Sequence, residues 1–190
     1  MVYQSDQPAT GADARHAFDG ASVNVGIKMT RELYERLRKD LLRPHDFAGE
    51  RVGFLFGRRA AATVGKFVIL VDYEPVDDDA YVEDWGVGAR INSAAIRRAM
   101  QRALNSEECV FHVHLHAHRG RPGFSSVDLH DLDKLVPSFG HVAPEGAHGA
   151  IVLSLDCGAA LVWPQVSSSP VAASYVHVVG YPLSHWNKHV

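Results

Sequence analysis

A chain of 190 residues, 46% apolar and 22% charged, has the size and composition of one globular domain with a single core. Its formal net charge of −3, with Lys and Arg scattered along the chain, argues against a nucleic-acid partner and against an anionic membrane surface. Two cysteines, Cys109 and Cys157, with no CxxC spacing, exclude a disulfide framework and a cysteine metal site and read as buried free thiols.

Residues 1–21 are small and polar and read as a loose tail ahead of one domain over 22–190. They lack the charged-then-apolar pattern of a signal peptide, and no apolar run reaches membrane-spanning length. The expected compartment is therefore the cytoplasm. Ser22 to Met29 alternates like a strand. Thr30 caps a helix, RELYERLRKDLLR, which Pro44 stops. Glu50 to Gly57 reads as a buried strand, RRAAATVGK as a turn region, and Phe67 to Val76 as a second strand. The acidic run Asp77 to Gly88 reads as a loop carrying Trp85.

Ser93 opens a helix with Ile96, Met100 and Ala103 on one face. Cys109 to His118 alternates as a strand, and RGRPG is a loop. A helix follows from Ser125, with Leu129, Leu132 and Val136 at helical spacing. HGAIVLSLD and AALVWPQV form a hairpin, and SYVHVVGYP a final strand. Interleaved strands and helices predict an α/β domain.

Twelve histidines are the oddity of composition, and four of them, His112, His114, His116 and His118, occupy alternate positions. Side chains at i and i+2 share a face, so two imidazoles can converge on one metal ion. Asp128, at the first turn of the next helix, can supply a third ligand across a short loop. Three protein ligands leave a position open for water, the arrangement of catalytic zinc. The plainer readings are an exposed histidine run and, for Ser125-x-x-Asp128, a helix cap.

His114-Leu115-His116, then RGRPGF, then Ser125-Ser126-Val127-Asp128, resembles the signature of the JAMM (JAB/MPN) metallopeptidases: His-x-His, about seven residues, Ser-x-x-Asp. Glu50-Arg51-Val52-Gly53-Phe54-Leu55-Phe56-Gly57 is similar to the family's upstream Glu-x-x-Gly-x-Leu-x-Gly strand. The resemblance runs from about Val23 to Tyr181. Two departures stand out. Ala117 replaces the usual proline, and eight residues separate His116 from Ser125. A His116–His118 register misses the usual gap by as much in the other direction. His114 with His116 is preferred because the apolar strand then runs straight into the first ligand.

The resemblance implies a JAB/MPN-like domain, a curved mixed sheet flanked by helices, broadly similar to the cytidine deaminases. It implies Zn2+ held by His114, His116 and Asp128. Glu50 would move the proton between water and leaving amine, and Ser125, with Ser126 as substitute, would donate to the oxyanion. It implies hydrolysis after the C-terminal tail of a ubiquitin-like protein or its conjugate. The chain looks most like the compact bacterial members, which are associated with activating and conjugating enzymes, with antiphage systems or with trimming of sulfur carriers. A non-catalytic scaffold is the alternative class. A zinc nucleobase deaminase is disfavoured, because the chain has neither Pro-Cys-x-x-Cys nor His-x-Glu. The segments Asp77 to Gly88 and Pro137 to His148 are the expected walls of a substrate groove. His130, His141 and His148 are expected at the surface or behind the ligands, and Asp131 or Asp133 could orient a ligand histidine.

Overall fold

The structure is a computed structural model that describes residues 24–187, except 45, 47, 63, 64 and 85–87. The expected tail at 1–21 and Trp85 therefore lie outside the described residues. The described chain is α/β. One nine-stranded mixed sheet has the order β7-β6-β5-β4-β2-β3-β1-β8-β9. In chain order the main elements are β1 (Val25–Thr30), α1 (Arg31–Leu41), β2 (Val52–Ala62), β3 (Gly65–Pro75), α2 (Ser93–Ser106), β4 (Cys109–Leu115) and α3 (Ser126–Val142). The sheet then continues through β5 (His148–Leu153), β6 (Gly158–Trp163), β7 (Val171–Ala172), β8 (Tyr175–Val179) and β9 (Ser184–Asn187).

The period of two sorts β4 onto two faces. Cys109, Phe111, Val113 and Leu115 join Leu33, Tyr34, Leu37 and Leu41 of α1 in one buried cluster. Val110 faces the other way, among Phe54, Phe56, the alanines of α2 and Phe139 of α3. His112 and His114 share Val110's side. The two glycines of the β2 motif have steric reasons. A Cβ on Gly53 would lie 2.4 Å from the Tyr73 ring, and one on Gly57 would lie 2.3 Å from the Ile69 carbonyl oxygen. Gly57 also sits at the shift in β2–β3 register, where the backbones approach closely.

Several elements differ from the sequence reading. RRAAATVGK is not simply a turn: Arg58 to Ala62 continue β2 and pair with Gly65 to Ile69. Alanine and arginine carry no strong strand preference, so the partner strand decides. β4 ends at Leu115 rather than His118, because its β2 partner begins at Val52, opposite His114, and its β5 partner ends at Leu153, opposite Leu115. α2 opens at Ser93, as expected, but its cap is Asn92, whose side chain accepts from Ala94 and Ala95 N–H. The buried stripe of α2 is Ala95, Ala99 and Ala103, which lets the helix lie close to the sheet and leaves Ile96 at its margin. Tyr175–Val179 is not the last strand, since β9 pairs antiparallel beyond it. Cys157 is half-buried, whereas Cys109 is buried.

α3 runs through Pro137 to Val142 instead of stopping near Val136. Proline removes one helical N–H, but the next turn carries Phe139, which is fully buried and packs edge-on to Phe54 with ring centroids 5.9 Å apart. Leu129, expected on the core face, is exposed. Phe139→Ala is expected to destabilise the protein by about 3–5 kcal/mol and to fray the last turn of α3. Urea unfolding and amide exchange of residues 138–142 check this.

Candidate metal centre

Three elements converge on one corner of the second face. Glu50 lies two residues before β2. Its N–H donates to the Gly88 carbonyl at 2.8 Å, so the end of the acidic loop fixes its backbone. Arg51, 4% exposed, donates to Asp78 at 2.6 Å and to the carbonyls of Arg43 and Pro44. Val52 N–H donates to the Tyr81 hydroxyl at 2.9 Å. His114 lies in β4, opposite Val52. His116 lies one residue beyond the strand, its N–H donating to the Leu153 carbonyl at 2.9 Å. Asp128 is held by a capping box: its N–H donates to Ser125 Oγ at 3.1 Å, and Ser125 N–H donates to Asp128 Oδ2 at 2.7 Å.

The donor atoms form a chain. His114 Nε2 and His116 Nε2 face each other at 3.2 Å. Glu50 Oε1 is 3.6 Å from His116 Nε2, and Asp128 Oδ2 is 3.8 Å from His114 Nε2. A tetrahedral ion with bonds of about 2.0–2.1 Å sets its donors roughly 3.3–3.4 Å apart. These spacings fit such an ion. Glu50, His114 and His116 offer ligand atoms all within 4.8 Å of one another, a group that could hold a metal ion. Asp128 adjoins that group through His114. Glu50, expected as the base, thus stands inside the group, whereas Asp128, expected as a ligand, stands beside His114 and outside it. Two imidazoles with a carboxylate form a nitrogen and oxygen donor set that suits zinc among other transition metals.

Charge is distributed unevenly. Burial raises the Glu50 carboxyl above its ordinary value, His116 opposes the rise and Asp128 adds to it. Asp128 is pushed up by burial too, but hydrogen bonds from Ser125 and the two imidazoles outweigh this and hold it low. Burial lowers His114 to about 4, against the pull of Asp128, so its ring is neutral and its lone pair available at neutral pH. Its Nδ1 is buried with no hydrogen-bond partner. Packing against Phe124, edge-on at 6.1 Å, orients the ring instead.

The other histidines separate clearly. His118 is exposed, its Nδ1 on the Arg119 carbonyl, and it is outside the donor group. His130 is exposed beside Lys134, at 2.7 Å. His148 is not at the surface. It is buried, with Nδ1 accepting from Val110 N–H and Nε2 on the Ala143 carbonyl, and it ties α3 to the sheet. Ser126 is exposed on the first turn of α3. Asp131 lines the neighbouring cleft but has no described contact with a ligand histidine. Arg51 and Tyr81, which position Glu50, escaped the sequence reading. The one available signal was an arginine at the mouth of an apolar strand, a charge that burial would force to find partners.

No family model matches the chain, and comparison with curated proteins finds no match. Among the described residues no helix is long and apolar enough to cross a membrane.

Two measurements test the centre. Metal content of the purified protein should fall on His114→Ala or His116→Ala and persist in His118→Ala. Loss through His118 with retention through His114 would shift the register by two residues. Stability of the metal-free protein should also depend on pH. Burial lowers His112 to about 3, His114 to about 4, and His148, while unfolded histidine titrates near 6.5. As pH drops below about 6.5 the unfolded chain takes up protons that the folded chain refuses. Stability is therefore complete above that pH and declines toward pH 4, by up to about 1.4 kcal/mol per pH unit for each histidine. Urea titrations at pH 7.5, 6 and 5 would show this slope, and a flat profile would contradict the burial.

Proposed function

We propose that the chain is a zinc-dependent peptidase of the JAMM (JAB/MPN) type that cleaves after the extended C-terminal tail of a ubiquitin-like protein. One observation carries the reading: two facing imidazole nitrogens have a carboxylate at each end and a serine hydroxyl beside them, all from the segments that carry the resemblance. The mixed α/β sheet, with the His-x-His strand paired to the glutamate strand, is compatible with a JAB/MPN-like domain.

His114, His116 and Asp128 would hold the ion, with Glu50 beside it. A bound zinc would supply Lewis acidity, polarising a scissile carbonyl and making water a competent nucleophile near neutral pH. Glu50 sits in a partly dry position that raises its pKa, which makes its carboxylate a stronger base for taking a proton from water and delivering it to the leaving amine. Asp128 stays ionised beside it. Ser125 Oγ already accepts from the Asp128 N–H, so its own O–H can turn from the Asp128 carboxylate to a developing oxyanion. The helix cap and the oxyanion donor are one side chain in two roles.

Specificity comes from the walls. Gly88 to Ile91 and the first turns of α3 line a cleft beside Glu50 and His114. Of the expected wall at Pro137 to His148, the first part is helix α3. An extended tail can bind there by backbone pairing. On this reading the chain works in the cytoplasm, on a ubiquitin-like protein or its conjugate, alongside activating and conjugating enzymes. Trimming of a sulfur carrier is the closest alternative substrate. A scaffold role is disfavoured because two histidines and a carboxylate stand at ligand spacing.

Glu50→Gln should keep the metal and lose roughly 10²–10⁴ in turnover. Ser125→Ala should lose about 10²–10³, and Asp128→Asn should lose the metal. Metal loss in Glu50→Gln with retention in Asp128→Asn would exchange the two carboxylates' roles. The substrate is tested by offering a ubiquitin-like protein from the same source, extended at its C-terminus, beside a broad peptide library. Library cleavage with the fusion intact would remove the substrate assignment.

A further inference from the structure

His116 is a candidate ligand and also the inner neighbour of an exposed histidine. Side-chain exposure rises along the row, from 2% at His114 to 20% at His116, and His118 is exposed. Ring centroids are 4.9 Å apart between His114 and His116 and 5.8 Å apart between His116 and His118. An ion bonded at about 2.0–2.1 Å to one nitrogen of each of two imidazoles sets their ring centres roughly 5–6 Å apart. Both pairs therefore stand at a spacing that two rings can share across one ion, and His116 belongs to both.

His118 lies outside the donor group of Glu50, His114 and His116, yet its place is fixed. Its N–H donates to the His116 carbonyl at 2.8 Å, and its own carbonyl accepts from Leu155 N–H at 2.8 Å. His116 N–H donates to the Leu153 carbonyl at 2.9 Å. The end of β5 and the turn after it thus hold both histidines in one frame. Nδ1 of His118 meets the Arg119 carbonyl at 2.9 Å. A carbonyl only accepts, so Nδ1 carries the proton in this contact, and in a neutral ring the Nε2 lone pair is left for a metal. A carbonyl on the far nitrogen is how ligand histidines have their tautomer fixed.

The charges along the row favour a cation moving inward. Arg119, beside His118, has the Asp156 carboxylate at 3.6 Å, which offsets its repulsion. At the buried end, Glu50 is 3.6 Å from His116 and Asp128 is 3.8 Å from His114. Glu50, His114 and Asp128 line the cleft assigned above to substrate, and His116 is not among its lining residues. The row therefore reaches the centre from outside that cleft.

We propose that His118 is the entry ligand of the metal centre. With His116 it first takes up a divalent transition-metal cation, and it then yields the ion to His114 and the carboxylates while His116 stays bonded. Each transfer breaks one metal–ligand bond and forms another, so no proton or electron is left over. The inference rests on the metal centre and not on peptide hydrolysis.

Metal-free full-length protein is mixed with zinc at about pH 8, where an ordinary imidazole is neutral, and loading is followed against a zinc-binding dye. Release is followed by transfer of zinc to excess chelator. An entry ligand lies on the path and not in the final site, so it changes both rates and leaves their ratio alone. His118→Ala should slow loading and release by the same factor, roughly tenfold, the scale on which groups around a zinc site act. Affinity and final metal content should not change. His118→Asp, which supplies another ligand atom, should restore both rates. Unchanged rates in His118→Ala would overturn the proposal and leave the centre intact. Slower loading with a matching loss of affinity, or no recovery in His118→Asp, would overturn it too and give His118 a structural role or a place in the final site. A wild-type chain that takes up no zinc would overturn the centre and the entry route together.

Discussion

Val52 lies opposite His114 across the β2–β4 pair, and the candidate site depends on that register. A strand has a side-chain period of two, so a slip of one residue turns every side chain to the other face. His114 would then enter the cluster around α1, and Phe111 and Val113 would meet the cleft. The register is protected by what the correct pairing buries. Phe111, Val113 and Leu115 are almost wholly buried on one face, and Val110, Phe54 and Phe56 on the other. Hydrophobic burial across two faces therefore fixes where two polar ligands stand.

The carboxylates reach the same corner by local polar structure. Glu50 has no strand to hold it, and its neighbours do the work: Arg51 reaches Asp78, Tyr81 reaches Val52, and Gly88 accepts its N–H. Asp128 is oriented by the hydrogen bonds that start α3. A helix cap is normally a stability device. Here it aims a carboxylate oxygen at a histidine, so the same contacts serve folding and the site. Groups positioned on strand ends and a helix start are held more firmly than groups on free loops.

The site has a thermodynamic cost within this fold. The second face is otherwise packed with alanine, valine and phenylalanine, yet Nδ1 of His112 and Nδ1 of His114 are buried there without a partner. The alanine stripe of α2 leaves Ile96 and the end of the acidic loop to shape the cleft, while Phe139 and His148 tie the far end of α3 to the sheet. Stability lost at the histidines is offset by the large cluster on the α1 face. Unmatched polar groups beside a candidate site are the pattern expected where a fold gives up local consistency for function.

Much of this was readable from the chain alone. The α/β alternation, the caps at Thr30 and Ser125, the β5–β6 hairpin and the convergence of His114 and His116 all rest on short-range periodicity, which the sequence displays directly. Asp128 was visible from its place at a helix start, and Glu50 and Ser125 entered through the resemblance to the JAMM signature. The rest depended on contacts between distant segments. The extension of β2 through Arg58 to Ala62 required β3 as a partner, and α3 continued past Pro137 because Phe139 found Phe54. The placement of Glu50 within the ligand group and of Asp128 beside it, the role of Arg51 and Tyr81, and a cleft lined by His112 came from the packing of loop, helix and sheet. Local propensity sets which elements can form; only burial and pairing between them decides where those elements end and which side chains meet.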